Sequence, residues 1–332
     1  MKQFLIRSVQ PQDLTSLHEL AKLAGDGMTS LPADKDYLEQ KIYNSKASFE
    51  GADIYLDDKQ FFLVLEDLEK NKIIGTSCVY SLNQHPDQAF HSYKIEEKRV
   101  YSQTLEKEFM RDYLVLDENR EPTSLIGTLF LHPDYRSLGL AKWLSRIRYM
   151  LIKARQDDFQ KLIFAEIRGW ISDKGYSPYW ENLGKKYFGM DFLQAEALIK
   201  KEGYQFIYEL MPKEPIPLFL LDNDALEYIG KPHDSSVAAM KMLKDEGFEY
   251  HNKIDFFDGG PQFSVKRDDI KTYQSTKMMK PKDIVSHSQK LMVASNLEND
   301  FRSLYLAPSE TLGKDGLDLL EIKNTDDLFV SE

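Results

Sequence analysis

The run "LFLHPDYRSLGLAKWL", residues 129–144, constrains the fold of this chain more than any other stretch. It leads from an apolar strand through a turn into a helix, and "KLIFAEIRGW" after it reads as a second buried strand. A strand, a helix and a strand in direct succession imply a right-handed crossover and a largely parallel pair. Within the turn, Arg136-Ser137-Leu138-Gly139-Leu140-Ala141 places small residues where the first free N–H groups of the helix point outward. Gly139 and Ala141 let the backbone approach an anion, and the helix N-terminus supplies partial positive charge. The six residues alone would serve equally well as an ordinary strand-to-helix turn. The setting of strand, loop, amphipathic helix and strand selects a phosphate cradle. Leu144, Ile147, Met150 and Leu151 form the apolar stripe of that helix.

Upstream, "FLIRSV" reads as a strand, and Pro11 to Asp13 start a helix with Leu14, Leu17, Leu20, Ala21 and Ala24 at helical spacing. Pro32 suits the first turn of a second helix through Leu38 and Ile42. "FFLVLED" and "KIIGTSCVYSL" then form a hairpin, giving the order strand, helix, helix, strand, strand. "HSYKIEEKRVYSQTL" is expected to be an edge strand followed by a helical stretch, and "GYQFIYELMP" a strand. Ser177 and Pro178 open a short helix, and a Pro-broken loop leads from "EPIPLF" into another. "DSSVAAMKMLKDEGFEY" is a helix with Ser235 or Ser236 at its N-cap and Gly247 as its stop, followed by a strand in "NKIDFFDGGP". From residue 263 the pattern weakens into short strand-like runs, "KLMVAS", "SLYLAP" and "LDLLEI".

Together the opening elements, the glycine turn and the closing helix, Gly-Phe corner and strand resemble acyltransferases of the GNAT type. There the glycine turn wraps a pyrophosphate and the closing helix lies beside the pantetheine. The expected fold is α+β, a mixed central sheet flanked by helices. We expect a GNAT-like acyltransferase domain over 1–262 and a small C-terminal β-rich appendage over 263–332.

Composition narrows the function. The formal net charge of −11 argues against nonspecific nucleic-acid binding and suits a cationic substrate. One cysteine, Cys78, excludes an intramolecular disulfide framework and a multi-Cys zinc site. No two of the seven histidines lie at i, i+4, so no metal site is expected. "MKQFLIRSVQPQDL" has no signal-peptide pattern and "FFLVL" is too short to span a bilayer, so a soluble, cytoplasmic protein without membrane contact is expected. His233, in "IGKPHDSSV", stands just before the closing helix. A helix N-terminus disfavours the imidazolium and so leaves the ring able to accept a proton near neutral pH. Asp234 pushes the other way.

Longer stretches are more specific. "TSLPADKDYLEQKI", "TLFLHPDYR", "AEIRG", "GYSPYWENLGKKYFGMDF", "FIYELMPKEPI", "IGKPH" and "LKDEGFEYHNKIDFFDGGP" resemble, in order, the bacterial arginine N-succinyltransferase family. The resemblance runs over residues 29–261, and the run from Gly175 to Phe192 carries more of it than the glycine turn. It implies transfer of succinyl from succinyl-CoA, as co-substrate and with no permanently bound cofactor, to the α-amine of L-arginine. It puts the family's active-site histidine on His233 and a succinyl-CoA contact on Leu129. With Arg136, Ser137, Gly139, Leu140 and Ala141 these make the expected catalytic and CoA-binding set. Glu166 and Asp258, at strand ends within matching stretches, are candidates for binding a guanidinium, or are solvated strand-end carboxylates. Residues 91–104 depart from the family text, and Gly139-Leu140-Ala141 stands where the family has a Gly-Asn-Gly-type loop. Two other readings therefore stay open: a GNAT acyltransferase with another acyl donor or amine, and a noncatalytic CoA-binding subunit of a hetero-oligomer. A homo- or hetero-oligomer is expected.

Overall fold

The computed structural model describes residues 3–25, 28–52, 55, 59–82, 89–284 and 287–332. Strand β1 (Phe4–Ser8) is followed by helices α1 (Leu14–Ala24) and α2 (Lys35–Phe49), then by β2 (Gln60–Asp67) and β3 (Lys72–Tyr80). A long hairpin follows, β4 (Phe90–Ser102) and β5 (Lys107–Asn119), and leads into β6 (Thr123–Leu131). Helix α3 (Leu140–Ala154) and strand β7 (Leu162–Glu166) complete the crossover unit. Five short helices come next: α4 (Pro178–Asn182), α5 (Gly184–Phe188), α6 (Phe192–Glu202), α7 (Gln205–Leu210) and, after the two-residue strand β8 (Ile216–Pro217), α8 (Asn223–Tyr228). Helix α9 (Val237–Glu246) precedes β9 (Glu249–Ile254) and β10 (Pro261–Lys266). The C-terminal elements are α10 (Lys271–Ser275), β11 (Lys277–Met279), β12 (Leu291–Asn296), β13 (Phe301–Leu306), α11 (Lys314–Leu319) and β14 (Leu328–Ser331).

Among the described residues the strands join one mixed sheet, in the order β11-β14-β12-β13-β1-β2-β3-β6-β7-β10-β9-β4-β5-β8. Helix α3 covers one face with Trp143, Leu144, Ile147, Met150 and Leu151, all buried against strand residues such as Leu63, Val79 and Phe263. Helices α1 and α2 cover the other through Leu17, Leu20, Leu38 and Ile42. This is the expected α+β arrangement, a mixed central sheet flanked by helices. None of the described helices is long and apolar enough to cross a membrane.

The parallel pair forms, but only briefly. Strands β6 and β7 share three rungs, Thr123–Leu162, Ser124–Ile163 and Leu125–Phe164. Beyond them β6 stays with β3, whereas Ala165 and Glu166 stay with β10. The strands therefore part, and a wedge opens in the middle of the sheet.

Several local expectations are corrected. Residues 90–119 form a continuous hairpin of thirteen rungs, with no helical stretch. Tyr93, Ile95, Leu114 and Leu116 alternate into the core, and the cross-strand ladder carries the polar outer half. "FIYEL" is the helix α7, because Ile207 and Met211 are buried four residues apart. The start of "LDLLEI", residues 317–319, lies in α11 and not in a strand. Helix α2 starts at Lys35 and not near Pro32, because the Asp34 carboxylate accepts from Tyr37 N at 2.9 Å and caps it. Position 262/263 falls inside β10, which pairs with both β7 and β9. The strands after it attach through β13 to β1 at Ile6–Ser303 and Arg7–Arg302. They enclose their own cluster of Leu291, Val293, Leu304, Leu306 and Leu320.

Candidate active site

Where β6 leaves β7, its own ladder to β3 is broken. Cys78 faces Gly127 and Thr76 faces Phe130, so Thr128 and Leu129 together oppose Ser77 alone. Thr128 takes a left-handed conformation with φ +54°, which is costly for a β-branched residue. Its neighbours hold it there. Thr76 Oγ1 donates to the Thr128 carbonyl at 2.8 Å, and the Tyr80 hydroxyl meets Thr128 Oγ1 at 2.9 Å. Buried Lys41 donates to that same Tyr80 hydroxyl and to Gln60 Oε1. A bulge of this kind leaves main-chain groups unpaired and re-aims them. Leu129 sits in it.

A cavity of about 1220 Å³ fills the wedge. Leu125 to Leu131 of β6 line it, as do Ala165 to Arg168, Tyr204, Tyr208, His233, Asp255 and Asp258. Its mouth reaches the glycine turn. Pro133–Leu138 coil as a 3₁₀ helix, and Gly139 (φ +75°, ψ +6°) caps α3 with no side chain on the first N–H groups. Arg136 folds back so that its Nε donates to Leu131 O at 3.2 Å. Arg136 and Ala141 line the cavity, Ser137 and Gly139 are exposed at its edge, and the Leu140 side chain is fully buried. Leu140 can therefore offer a ligand only its main chain.

His233 is strapped to the continuation of β7. Its N–H donates to Arg168 O at 2.8 Å, and neighbouring Pro232 bridges Gly169. Ser235 occupies Nδ1 through its hydroxyl at 2.7 Å and its N–H at 3.2 Å, and the ring also hydrogen-bonds the Ile171 backbone. Burial, then the Arg168 charge, lowers the His233 pKa below its ordinary value, and Asp234 opposes this in part. The shift favours the neutral ring, the form that can take up a proton.

Glu166 and Asp258 do come together, and neither is a freely solvated strand end. Both are half-buried on the cavity wall, where surrounding protein desolvates them. Asp258 accepts from Gly169 N at 2.8 Å and Gly260 N at 2.7 Å, so both its oxygens brace the backbone. Sequence reasoning missed the third carboxylate, Asp255. Its Oδ1 accepts from Phe257 N at 2.7 Å and Asp258 N at 2.8 Å. Burial pushes all three pKa values up, and the repulsion of Asp255 and Asp258 drives Glu166 well above the carboxylate range. Glu166 accepts one long bond from Gln262 Nε2 at 3.4 Å and hydrogen-bonds Asp255, so the protonated form is favoured within this carboxylate group. Arg148, Arg168 and Thr128 were also missed. Among the described residues no grouping of His, Cys, Asp and Glu could hold a metal ion.

A cleft with a helix N-terminus at its mouth, a bulged strand, an imidazole on its wall and an acidic floor offers complementary places for an acyl-CoA and a cationic amine. Residues 4–272 match the family described as "Arginine N-succinyltransferase beta subunit". Proteins named arginine N-succinyltransferase from Shigella boydii and Escherichia coli are 34% identical over 275 residues, 83% of this chain and 79% of theirs. The solved structure of arginine/ornithine succinyltransferase subunit AI from Pseudomonas aeruginosa superposes with a TM-score of 0.86 at 26% identity. That match covers 99% of this chain and 98% of the other.

Proposed function

The chain belongs to the arginine N-succinyltransferase family, and from that premise we propose that it moves succinyl from succinyl-CoA to the α-amine of L-arginine. The observation that carries this reading is the single cavity shared by the β6 bulge, His233 and the carboxylates of Glu166, Asp255 and Asp258. Donor and acceptor chemistry meet in one enclosed space.

The pyrophosphate of the donor lies along the turn Ser137 to Ala141, against the N–H groups that open α3, where partial positive charge collects. Its thioester reaches the bulge, and main chain near Leu129 hydrogen-bonds the carbonyl oxygen as negative charge builds on it. The guanidinium of arginine enters against Glu166 and Asp255 in charge-assisted bonds, held in register by the braced Asp258. That leaves the α-amine beside the thioester. His233 handles the proton as the neutral amine attacks: the new N–C bond forms, the C–S bond breaks and CoA leaves as the thiol. Positioning does most of the work.

Thiol release measured with succinyl-CoA and L-arginine tests the reading. Steady turnover dependent on both substrates is expected. A purified, folded protein that binds succinyl-CoA but releases no thiol with arginine or any other amine would instead favour the noncatalytic alternative.

A further inference from the structure

Arg148 stands apart from the other arginines of the core. It is 3% exposed, and the partners of its guanidinium, Ser145 and the Tyr149 ring 5.7 Å away, lie on its own helix. Nε donates to Ser145 O at 2.9 Å and Nη2 to Ser145 Oγ at 2.8 Å. Three less buried arginines each have a carboxylate: Arg7 has Asp13 at 2.7 Å, Arg146 has Glu246 at 3.1 Å and Arg302 has Asp300 at 2.7 Å. Among the described residues none lies within ion-pairing distance of Arg148. Its charge reaches the thiol of Cys78, the phenol of Tyr149 and the carboxylate of Glu246. The first two are neutral at pH 7, and Glu246 is taken by Arg146 and by the N–H and hydroxyl of Thr272.

Burying a guanidinium among neutral partners is expensive, and the cost falls when an anion arrives with matching geometry. A planar fork with unused N–H groups is shaped for a carboxylate. Arg148 lines the reaction cavity together with Gly127, Thr128 and Leu129. Cys78, which senses its charge, is the rung partner of Gly127 beside the bulge.

We propose that Arg148 binds the distal carboxylate of the acyl donor and so selects a dicarboxylic acyl group over a neutral one of the same length. The proposal rests on the reading that the β6 bulge receives the thioester. It goes further by giving the donor's specificity to one side chain.

Calorimetric titration of succinyl-CoA, butyryl-CoA and free CoA into the full chain, native and Arg148→Met, tests it without requiring turnover. Hydrogen bonds to a charged partner contribute about 1.5–3 kcal/mol, so the native protein should bind succinyl-CoA about 10- to 150-fold more tightly than butyryl-CoA. In Arg148→Met that ratio should fall to near one while free CoA binds as before. Arg148→Lys, which keeps the charge but loses the fork, should be intermediate and serves if the Met variant does not fold. A native protein that binds both donors equally, or a folded variant that keeps the preference, would overturn the assignment of Arg148. Neither result would touch acyl transfer itself, which thiol release measures separately.

Discussion

The main-chain N–H of His233 donates to the carbonyl of Arg168 at 2.8 Å, which ties the candidate proton carrier to the outward run of β7. With Ser235 holding Nδ1, the imidazole therefore keeps its place on the cavity wall. Replacing His233 with Ala should lower kcat by about 10²–10⁴-fold, the usual worth of a general acid or base. Acyl-CoA affinity should barely change, because the phosphate contacts lie on another loop. Stopped-flow turnover alongside calorimetric CoA binding separates the two quantities.

The floor of the site depends on close backbone approach at Gly169. A Cβ there would stand 2.3 Å from the Asp258 carbonyl oxygen and 2.9 Å from Gly260 N, neither of which can swing away. Gly169→Ala should destabilise the fold by about 1–3 kcal/mol, as overpacking does. It should also raise the KM for the amine more than that for the acyl-CoA. Denaturant titration and separate KM values check this.

Acceptor binding should strengthen with rising pH. Glu166 sits well above the carboxylate range because burial and its acidic neighbours penalise its charge. A cationic amine needs that charge, so at low pH it must displace a proton, and above the Glu166 pKa it need not. Arginine titrated in buffers of differing ionisation heat should show net proton release that fades as pH rises. Glu166→Gln should bind arginine weakly and remove the release.

Gly139 tests the phosphate turn. An added Cβ meets nothing within 4 Å, yet φ of +75° strains any L residue. Gly139→Ala should therefore cost about 1–2 kcal/mol of stability and little CoA affinity. Gly139→Glu adds a negative charge beside the proposed pyrophosphate and should weaken CoA binding sharply in low salt, less so in high salt. Equal CoA affinity in both variants would move the cradle elsewhere.

What the sequence revealed was local. The glycine turn could be read from one short run because strand, cap and helix each leave their mark within a few residues. His233 could be read from its place before α9 and from the family resemblance. The acidic floor could not, since Glu166 and Asp255 are joined only by the pairing of β7, β10 and β9, with Gln262 opposite Glu166. Arg148 looked like any basic residue between the apolar positions of an amphipathic helix, and only the parting of β6 from β7 turns it toward a cavity. Thr128 carries no mark of its left-handed conformation. The hairpin at 90–119 was misread because its outer half has no buried face to impose alternation.

Comparing kcat/KM for L-arginine, L-ornithine and L-lysine with succinyl-CoA tests the central claim most directly. The acidic floor at Glu166 and Asp255 is proposed to grip a planar guanidinium and leave the α-amine at the thioester. Arginine should therefore be preferred, with succinyl found on its α-nitrogen by mass spectrometry of the product. Lysine, offering only a compact ammonium, should be acylated poorly at its α-amine. Lysine or a polyamine turned over with higher kcat/KM than arginine would contradict the account of the acceptor site, while leaving acyl transfer in this cavity standing.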